Sequence, residues 1–277
     1  MPHPGRSGTP CYSFPSMDRR PVGMFDSGVG GLSVLKAFRQ LAPTERVIYF
    51  ADTAYFPYGP RPAPEVRKRS FAIVQRLVQS DVKLVVVACN TASAAALPDL
   101  REAFPVPFVG MVPGVKPAAS RSRAGRVAIL ATPGTLDGEL FARVVDDFGR
   151  GTRITTIPGS GLAELVESGQ AGTPRSREAL RGLLGPEVQA GADTVVLGCT
   201  HYAFLQDDIH AEFPNLSIVD TSEAVARRAV QLLDEGGLRG PSDQEGELDL
   251  IVSGDREQFR AIMRQLSFEP ATMEARQ

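Results

Sequence analysis

The chain has 277 residues, a formal net charge of -2 at pH 7, 43% hydrophobic residues and 22% charged residues. This composition is typical of a globular protein with a substantial core, and it excludes the basic footprint of a nucleic-acid-binding protein. No apolar run approaches the roughly eighteen residues of a membrane span, and the N-terminus lacks the apolar core of a signal peptide. We therefore expect a cytoplasmic protein with no membrane partner and no nucleic-acid partner.

The chain begins with a segment that lacks hydrophobic periodicity. Residues 1–20 are rich in Pro, Ser, Gly and Arg, a composition that predicts a disordered extension. Residues 22–25 form an apolar run that predicts a short strand. Asp26 and Ser27 follow this strand, and the glycine-rich segment 28–31 then leads into an amphipathic helix. A strand, a glycine-rich turn and a helix in this order are typical of a ligand-binding edge in an α/β sheet.

Two other interpretations of the glycine-rich turn remain open. Gly28 and Gly30 fit a dinucleotide-binding fingerprint, but Ser33 occupies the position of its third glycine, so the match is weak. A tight turn that binds nothing also explains the glycines, because they permit positive φ angles and close backbone approach.

A second strand is predicted over residues 46–50, and a loop over residues 55–60 follows it. Proline and glycine fix the shape of this loop. Its Tyr and Phe side chains suit either the wall or lid of a ligand site or a cover for the core. A helix predicted over residues 65–79 leads the chain back to the sheet.

The third strand carries a cysteine at its carboxyl end. Residues 84–88 are continuously apolar, as in a parallel strand that is covered on both faces. Cys89 follows, and a helix predicted over residues 92–97 ends near Pro98 because proline interrupts helices. A thiol between a strand end and a helix N-terminus lies where α/β proteins bind ligands, and the helix N-terminus lowers a thiol pKa. The alternative is a small buried hydrophobic residue.

The second half of the chain repeats the alternation of strands and helices. After a strand that ends at residue 109, a boundary is predicted in the basic stretch 119–125. A strand over residues 126–131 and an amphipathic helix over residues 136–148 then begin a second unit. The later predicted elements are strands 153–157, 194–197, 218–220 and 248–252 and helices 162–167, 175–184, 223–233 and 255–266.

This order of elements predicts a division of the chain into two lobes and two terminal segments. The predicted parts are a disordered extension over residues 1–20, a first α/β lobe over residues 21–117 and 221–266, a second α/β lobe over residues 118–220 and a frayed tail over residues 267–277.

The second cysteine motif resembles the first. The apolar strand 194–197 ends in Gly198-Cys199-Thr200-His201, and Cys199 lies 110 residues after Cys89 (199 − 89). The strands that begin at Val22 and Val127 are separated by a similar 105 residues (127 − 22). The repeat predicts two similar lobes related by a pseudo-twofold axis, each a mostly parallel sheet flanked by helices, with both thiols facing one cleft.

Four motifs in combination resemble the glutamate racemases of the cofactor-independent Asp/Glu racemase superfamily. They are FDSGVGG at residues 25–31, PYG at residues 57–59, ACNTAS at residues 88–93 and GCTHY at residues 198–202. The resemblance implies interconversion of L- and D-glutamate, with D-glutamate supplied to peptidoglycan synthesis. It also implies no cofactor and no metal, a small-molecule substrate and a homodimer.

The resemblance also assigns roles to residues. In this family two cysteines face opposite sides of the substrate α-carbon, and the matching positions are Cys89 and Cys199. Asp26 matches the carboxylate that assists the first cysteine, and His201 matches the partner of the second. The matching substrate-binding residues are Asp26, Ser27, Tyr58, Gly59, Asn90, Thr91, Glu167, Thr200 and His201.

Elementary chemistry agrees with a pair of thiols. Inversion of a stereocentre by proton exchange needs a base on one face and an acid on the other. A free thiol has a pKa of about 8.5, so neighbouring groups must activate one of the two. The open alternatives are a racemase for aspartate or another amino acid, a two-lobed binding protein without activity, and a nucleotide-dependent oxidoreductase. An alternative interpretation of His201 is a core histidine whose hydrogen bonds are satisfied within the protein.

Overall fold

The computed structural model describes residues 17–241, 245–268 and 274–275 of the chain. The strands in these residues are β1 (Val22–Asp26), β2 (Val47–Ala51), β3 (Leu84–Val87), β4 (Phe108–Val109), β5 (Arg126–Ala131), β6 (Arg153–Pro158), β7 (Thr194–Gly198), β8 (Ser217–Val219), β9 (Leu248–Val252) and β10 (Glu274–Ala275).

The helices lie between these strands. They are α1 (Leu32–Leu41), α2 (Ala63–Gln79), α3 (Asn90–Ala103), α4 (Val115–Arg121), α5 (Pro133–Leu136), α6 (Glu139–Phe148), α7 (Leu162–Glu167), α8 (Pro174–Gln189), α9 (Gln206–Glu212), α10 (Ser222–Glu235) and α11 (Arg256–Gln265). Short 3₁₀ helices span Thr53–Tyr55 and Thr200–Leu205.

The strands form two parallel sheets. The first sheet has the order β10-β9-β2-β1-β3-β4, and the second has the order β6-β5-β7-β8. The second order repeats the β2-β1-β3-β4 part of the first sheet. The predicted α/β fold with two similar lobes is therefore confirmed, and β3 and β7, which precede the two cysteines, hold equivalent places.

Apolar runs explain why the central strands form. Every residue of β3 and of β7 is buried, as expected for parallel strands with helices on both faces. One apolar cluster includes Met24 and Val86 of the first sheet together with Leu130 and Leu197 of the second. The two lobes therefore share a core on one side of their sheets.

The chain crosses between the lobes twice. After β8 it returns to the first lobe, where α10 packs against α1 and β9 pairs with β2. The predicted first crossing, at residues 117 and 118, falls inside α4. Val115 and Ala118 of this helix pack with Val127 and Ile129 of the second sheet. We therefore propose that the second lobe begins before Val115.

The predicted end of the third helix near Pro98 is wrong, because α3 continues through this proline to Ala103. Leu97 and Leu100 lie on either side of Pro98 and are buried. Burial of a leucine side chain contributes about 1.5–3 kcal/mol, so two of them offset the roughly 3 kcal/mol that an interior proline costs. Packing here outweighs local propensity.

The single helix predicted over residues 136–148 is also wrong. Helix α5 begins earlier and ends at Leu136, and α6 begins at Glu139 after an extended Gly138. Helix α8 is longer than predicted and continues through Pro186 to Gln189.

Both terminal predictions need correction. The backbone carbonyl of Asp18 accepts a hydrogen bond from the Lys83 ammonium at 2.8 Å, so the end of the predicted extension is fixed to the first lobe. Residues 1–16 lie outside the described residues. At the other end, Phe268 is buried in the core and β10 pairs with β9. These residues are therefore not a frayed tail, because the open edge of β9 provides hydrogen-bond partners.

Among the described residues, no helix combines the length and the apolar character that crossing a membrane requires.

Candidate active site

The two cysteines line one cavity between the lobes. Cys89 follows β3 and Cys199 follows β7, at the carboxyl ends of equivalent strands. The cavity has a volume of about 80 Å³. The other predicted site residues in its wall are Ser27, Tyr58, Gly59, Asn90, Thr91, Thr200 and His201. Asp26 and Glu167 are not in the wall, and both lie behind it in contact with residues that are.

Asp26 links the two lobes behind Cys89. Its carboxylate is fully buried at the end of β1. It accepts a hydrogen bond from the backbone N–H of Ser27 at 2.5 Å and one from the hydroxyl of Thr200, in the second lobe, at 3.0 Å. Burial raises the pKa of Asp26 because a charged carboxylate is poorly solvated there.

Cys89 is held as a protonated thiol. Burial raises the pKa of Cys89 well above its usual value, and the negative charge of Asp26 raises it further. Its sulfur does accept the N–H of Ala92 at 3.5 Å, as the N-cap of α3. The expectation that the helix N-terminus gives Cys89 a lowered pKa is wrong, because burial and the nearby carboxylate outweigh that hydrogen bond.

Cys199 has a different partner. The Sγ atom of Cys199 lies 3.8 Å from Nδ1 of His201, and Nε2 of His201 lies 2.8 Å from Oε1 of Glu167. Burial opposes the charged imidazolium, but the hydrogen bonds to Cys199 and Glu167 outweigh it and raise the pKa of His201 well above its usual value. If Nε2 donates to the Glu167 carboxylate, Nδ1 is free to accept the thiol proton.

Glu167 also fixes the glycine-rich turn of the first lobe. Its Oε1 atom accepts the backbone N–H of Val29 at 2.6 Å. A Cβ atom on Gly28 would lie 1.8 Å from the same oxygen, and one on Gly30 would lie 2.4 Å from Nδ1 of His201. The glycines therefore permit close contact with the second lobe. Protein groups fill the space that a dinucleotide would need, so the dinucleotide interpretation is wrong.

Asn90 marks the cavity as a site for a polar ligand. Its side chain is 2% exposed, yet neither Oδ1 nor Nδ2 has a hydrogen-bond partner among the described residues. An unsatisfied buried polar group costs about 1–3 kcal/mol, so such a group needs an explanation. A ligand with both hydrogen-bond donors and acceptors provides one.

Sequence reasoning missed several residues in the cavity wall. Thr132 contacts Thr91 across the lobes, with 2.8 Å between their hydroxyl oxygens, and lies 2.9 Å from the hydroxyl of Thr135. Thr132 follows β5 as Ser27 follows β1, so the repeat contained a signal for it. The other missed wall residues are Pro133, Gly159, Ser160, Gly161, Ala163, Glu164 and Tyr202, while Phe56, Pro57 and Pro60 belong to the loop 55–60, for which a wall was one of the two predicted roles.

The aromatic loop after β2 is a wall of the cavity. Tyr58 is 2% exposed, and its hydroxyl donates to the Asp52 carboxylate at 2.5 Å. The ring of Phe56 lies against the imidazole of His201, with 5.4 Å between ring centroids. The loop thus spans the cleft between a first-lobe carboxylate and a second-lobe histidine.

Comparison with known proteins adds to this geometry. A family model for Asp/Glu/Hydantoin racemase matches residues 30–229. The chain is 46% identical over 249 residues to a glutamate racemase of Deinococcus radiodurans, covering 89% of this chain and 86% of the relative.

Solved structures agree in fold. The glutamate racemase of Thermus thermophilus, in complex with β-chloro-D-alanine, is 36% identical with a TM-score of 0.79, covering 94% of this chain and 98% of that one. The Escherichia coli glutamate racemase, in complex with L-glutamate and the activator UDP-MurNAc-Ala, is 37% identical with a TM-score of 0.78, covering 92% of this chain and 98% of that one. The chain belongs to the Asp/Glu/hydantoin racemase family and, within it, to the glutamate racemases.

Proposed function

We propose that this protein interconverts L- and D-glutamate by a two-base proton transfer in which Cys89 and Cys199 act on opposite faces of the α-carbon. The observation that carries the proposal is that two cysteines, at equivalent strand ends of two similar lobes, line one cavity. Binding alone requires neither thiol. Epimerisation of an α-carbon requires one acid and one base.

The base on the second-lobe face is Cys199. His201 accepts the thiol proton at Nδ1, and Glu167 stabilises the resulting imidazolium through Nε2. The thiolate then removes the α-proton of L-glutamate, so the C–H bond breaks and an S–H bond forms. The electron pair that remains on the α-carbon is shared with the substrate carboxylate.

The acid on the first-lobe face is Cys89. Its raised pKa keeps it protonated at neutral pH, and it delivers its proton to the opposite side of the carbanion. D-glutamate is then bound beside a Cys89 thiolate and a Cys199 thiol. In the reverse direction Cys89 is the base and Cys199 is the acid. Asp26 then supports Cys89 as His201 supports Cys199.

The cavity wall supplies partners for the polar groups of an amino acid. The amide of Asn90 can donate to a carboxylate and accept from an ammonium. The hydroxyls of Ser27, Thr91 and Thr200 surround the same space. A racemase for aspartate would need the same chemistry with a shorter side chain, and L-aspartate is therefore the control substrate.

The test measures whether hydrogen from the solvent is incorporated into the product. The protein is incubated with L-glutamate in D₂O, and the early products are separated by chirality and weighed by mass spectrometry. We expect early D-glutamate to carry deuterium while recovered L-glutamate stays protiated, because the delivering thiol has exchanged with solvent. A single monoprotic base would return the original protium, and early protiated D-glutamate would contradict the proposal.

Variants test the two thiols separately. Cys89→Ala and Cys199→Ala should each reduce racemisation by at least about 100-fold, because loss of one thiol removes the acid or base on one face. Cys11→Ala, which removes the third cysteine of the chain, is the control and should retain activity. Near wild-type racemisation by either of the first two variants would exclude this mechanism.

We extend the proposal to supply of D-glutamate for peptidoglycan synthesis. The extension is supported by membership of the glutamate racemases. Expression of the chain should allow a D-glutamate auxotroph to grow without added D-glutamate, and failure of an active enzyme to do so would count against this role. The homodimer and the cytoplasmic location stay predictions.

A further inference from the structure

Asp52 is a fully buried carboxylate that does not line the cavity. It lies directly after β2, and its backbone N–H donates to the backbone carbonyl of Asp26 at 2.9 Å. The carboxylate accepts four hydrogen bonds from three parts of the first lobe. The donors are the Tyr58 hydroxyl at 2.5 Å, Arg69 Nε at 2.7 Å, Arg69 Nη2 at 2.6 Å and the Ser253 hydroxyl at 2.8 Å.

The donors connect the loop after β2 to two other segments of the first lobe. Tyr58 belongs to the loop itself, Arg69 belongs to α2, and Ser253 follows β9. The Ser253 hydroxyl also accepts the N–H of Ala54 at 3.0 Å, which fixes the start of the loop. The guanidinium of Arg69 also lies over the ring of Tyr55, 4.2 Å from its centre. The bidentate Arg69 pair gives this arrangement a fixed geometry.

The loop so held forms part of the catalytic cavity. Phe56, Tyr58 and Gly59 line the cavity, and Phe56 contacts the imidazole of His201. Gly59 also accepts the N–H of Gly134, in the second lobe, through its carbonyl at 3.0 Å. The hydrogen bond to Asp52 occupies the Tyr58 hydroxyl and so sets which surface of Tyr58 faces the cavity.

We propose that Asp52 is a positioning residue for substrate binding: it holds the loop of residues 53–60 in the shape that the bound amino acid requires. This inference rests on the proposed function for the identity of the substrate. Asp52 acts through Tyr58 and Gly59 and itself touches neither the substrate nor a thiol. The thiols follow β3 and β7, so the loss of Asp52 should disturb binding more than the proton-transfer step.

The chain offers a matched control at the other end of the same strand. Glu45 precedes β2, is 1% exposed and forms an ion pair with Lys83 at 2.6 Å. It lies at the amino end of the sheet, whereas the cavity lies at the carboxyl ends. Glu45→Gln and Asp52→Asn therefore each neutralise a buried, paired carboxylate that flanks β2, and only the second faces the loop.

The experiment measures KM and kcat for L-glutamate in these variants. We expect Asp52→Asn to raise KM by at least about tenfold with kcat changed less than about threefold, and Glu45→Gln to leave KM within about twofold. Ser253→Ala removes one hydrogen bond to Asp52 and should raise KM by a smaller factor. An unchanged KM in Asp52→Asn, or an equal rise in Glu45→Gln, would overturn the inference. If Asp52→Asn does not fold, an unchanged KM in Ser253→Ala would overturn it.

A binding measurement separates this inference from the proposed function. Calorimetry gives the Kd for L-glutamate in the wild-type protein and the variants without any need for turnover. A wild-type protein that binds glutamate but does not racemise it would contradict the proposed function, while the Kd ratio between Asp52→Asn and wild type would still decide the role of Asp52. Absence of glutamate binding by the wild type would overturn both.

Discussion

At the scale of single residues, the two thiols differ in what lies behind them. Cys89 has a buried carboxylate, Asp26, which raises the thiol pKa, whereas Cys199 has a histidine whose own pKa is raised. The lobes are similar in strand order, but the groups that support the two cysteines are opposite in charge when ionised. This asymmetry suits the proposed mechanism, in which Cys89 is the acid and His201 accepts a proton on behalf of Cys199.

Asp26 should cost stability while it supports activity. Its pKa is raised, so the folded protein binds a proton that the unfolded chain releases above about pH 4. Wild-type stability therefore falls as the pH rises from about 4 towards the raised pKa, whereas Asn does not titrate. We expect Asp26→Asn to lower kcat by roughly 10- to 100-fold. We also expect the melting temperature of the variant to rise relative to that of the wild type when the pH is raised from about 4.5 to about 7.5.

Differential scanning calorimetry at the two pH values, together with kinetics at the higher one, checks this prediction. Glu45→Gln serves as a control for removal of a buried carboxylate outside the site. A variant that melts below wild type by the same margin at both pH values would contradict the destabilising role of the Asp26 charge.

At the scale of elements, the glycine-rich turn is shaped by the opposite lobe. A Cβ atom on Gly30 would lie 2.4 Å from Nδ1 of His201 and 2.5 Å from the hydroxyl of Thr200. Both atoms belong to the second lobe, so any side chain at this position pushes the two halves of the site apart. Gly30 does not have a positive φ angle. Glycine is therefore required here because the cleft leaves no room for a side chain.

Gly30→Ala should therefore damage catalysis more than folding. A displacement of about 1 Å of a catalytic group costs on the order of 100-fold in rate, and we expect a loss of about that size in kcat/KM. Gly182→Ala is the matched control, because Gly182 lies in α8 with no atom within 4 Å of its added Cβ. The control should keep full activity and gain about 0.5–1 kcal/mol of stability. Equal activity in both variants would contradict the steric argument.

The elements also indicate how far sequence reasoning reaches. The strands before both cysteines were predicted because a buried parallel strand is a continuous apolar run, and that signal is local. The continuation of α3 through Pro98 was not predicted, because the burial of Leu97 and Leu100 that offsets the proline depends on tertiary packing. Motif resemblance assigned the cysteines and their partners. It did not indicate Thr132 or Asp52, whose contacts join segments that are distant in sequence.

At the scale of the whole molecule, the site exists only where the lobes meet. Several hydrogen bonds near the cavity cross between them: the Thr200 hydroxyl donates to Asp26, the Val29 N–H to Glu167 and the Gly134 N–H to the carbonyl of Gly59, and the hydroxyls of Thr91 and Thr132 pair at 2.8 Å. Each lies beside the cavity wall, so we expect glutamate bound between the lobes to hold these contacts closed. Opening of the cleft and binding of glutamate are therefore competing events.

This competition predicts a local pattern of hydrogen exchange. At a glutamate concentration of about 100 times Kd, binding makes any opening that releases the ligand about 100-fold rarer. The backbone amides of Val29 and Gly134, which donate across the cleft, should therefore exchange more slowly by about that factor. Amides in the middle of α8, on the outside of the second lobe, should exchange at an unchanged rate, because their local openings do not release ligand. Hydrogen exchange with mass spectrometry at labelling times shorter than global unfolding measures both sets. Equal slowing of α8 and the cleft would mean that glutamate stabilises the fold generally, and no slowing at the cleft would mean that the lobes need not separate for glutamate to bind.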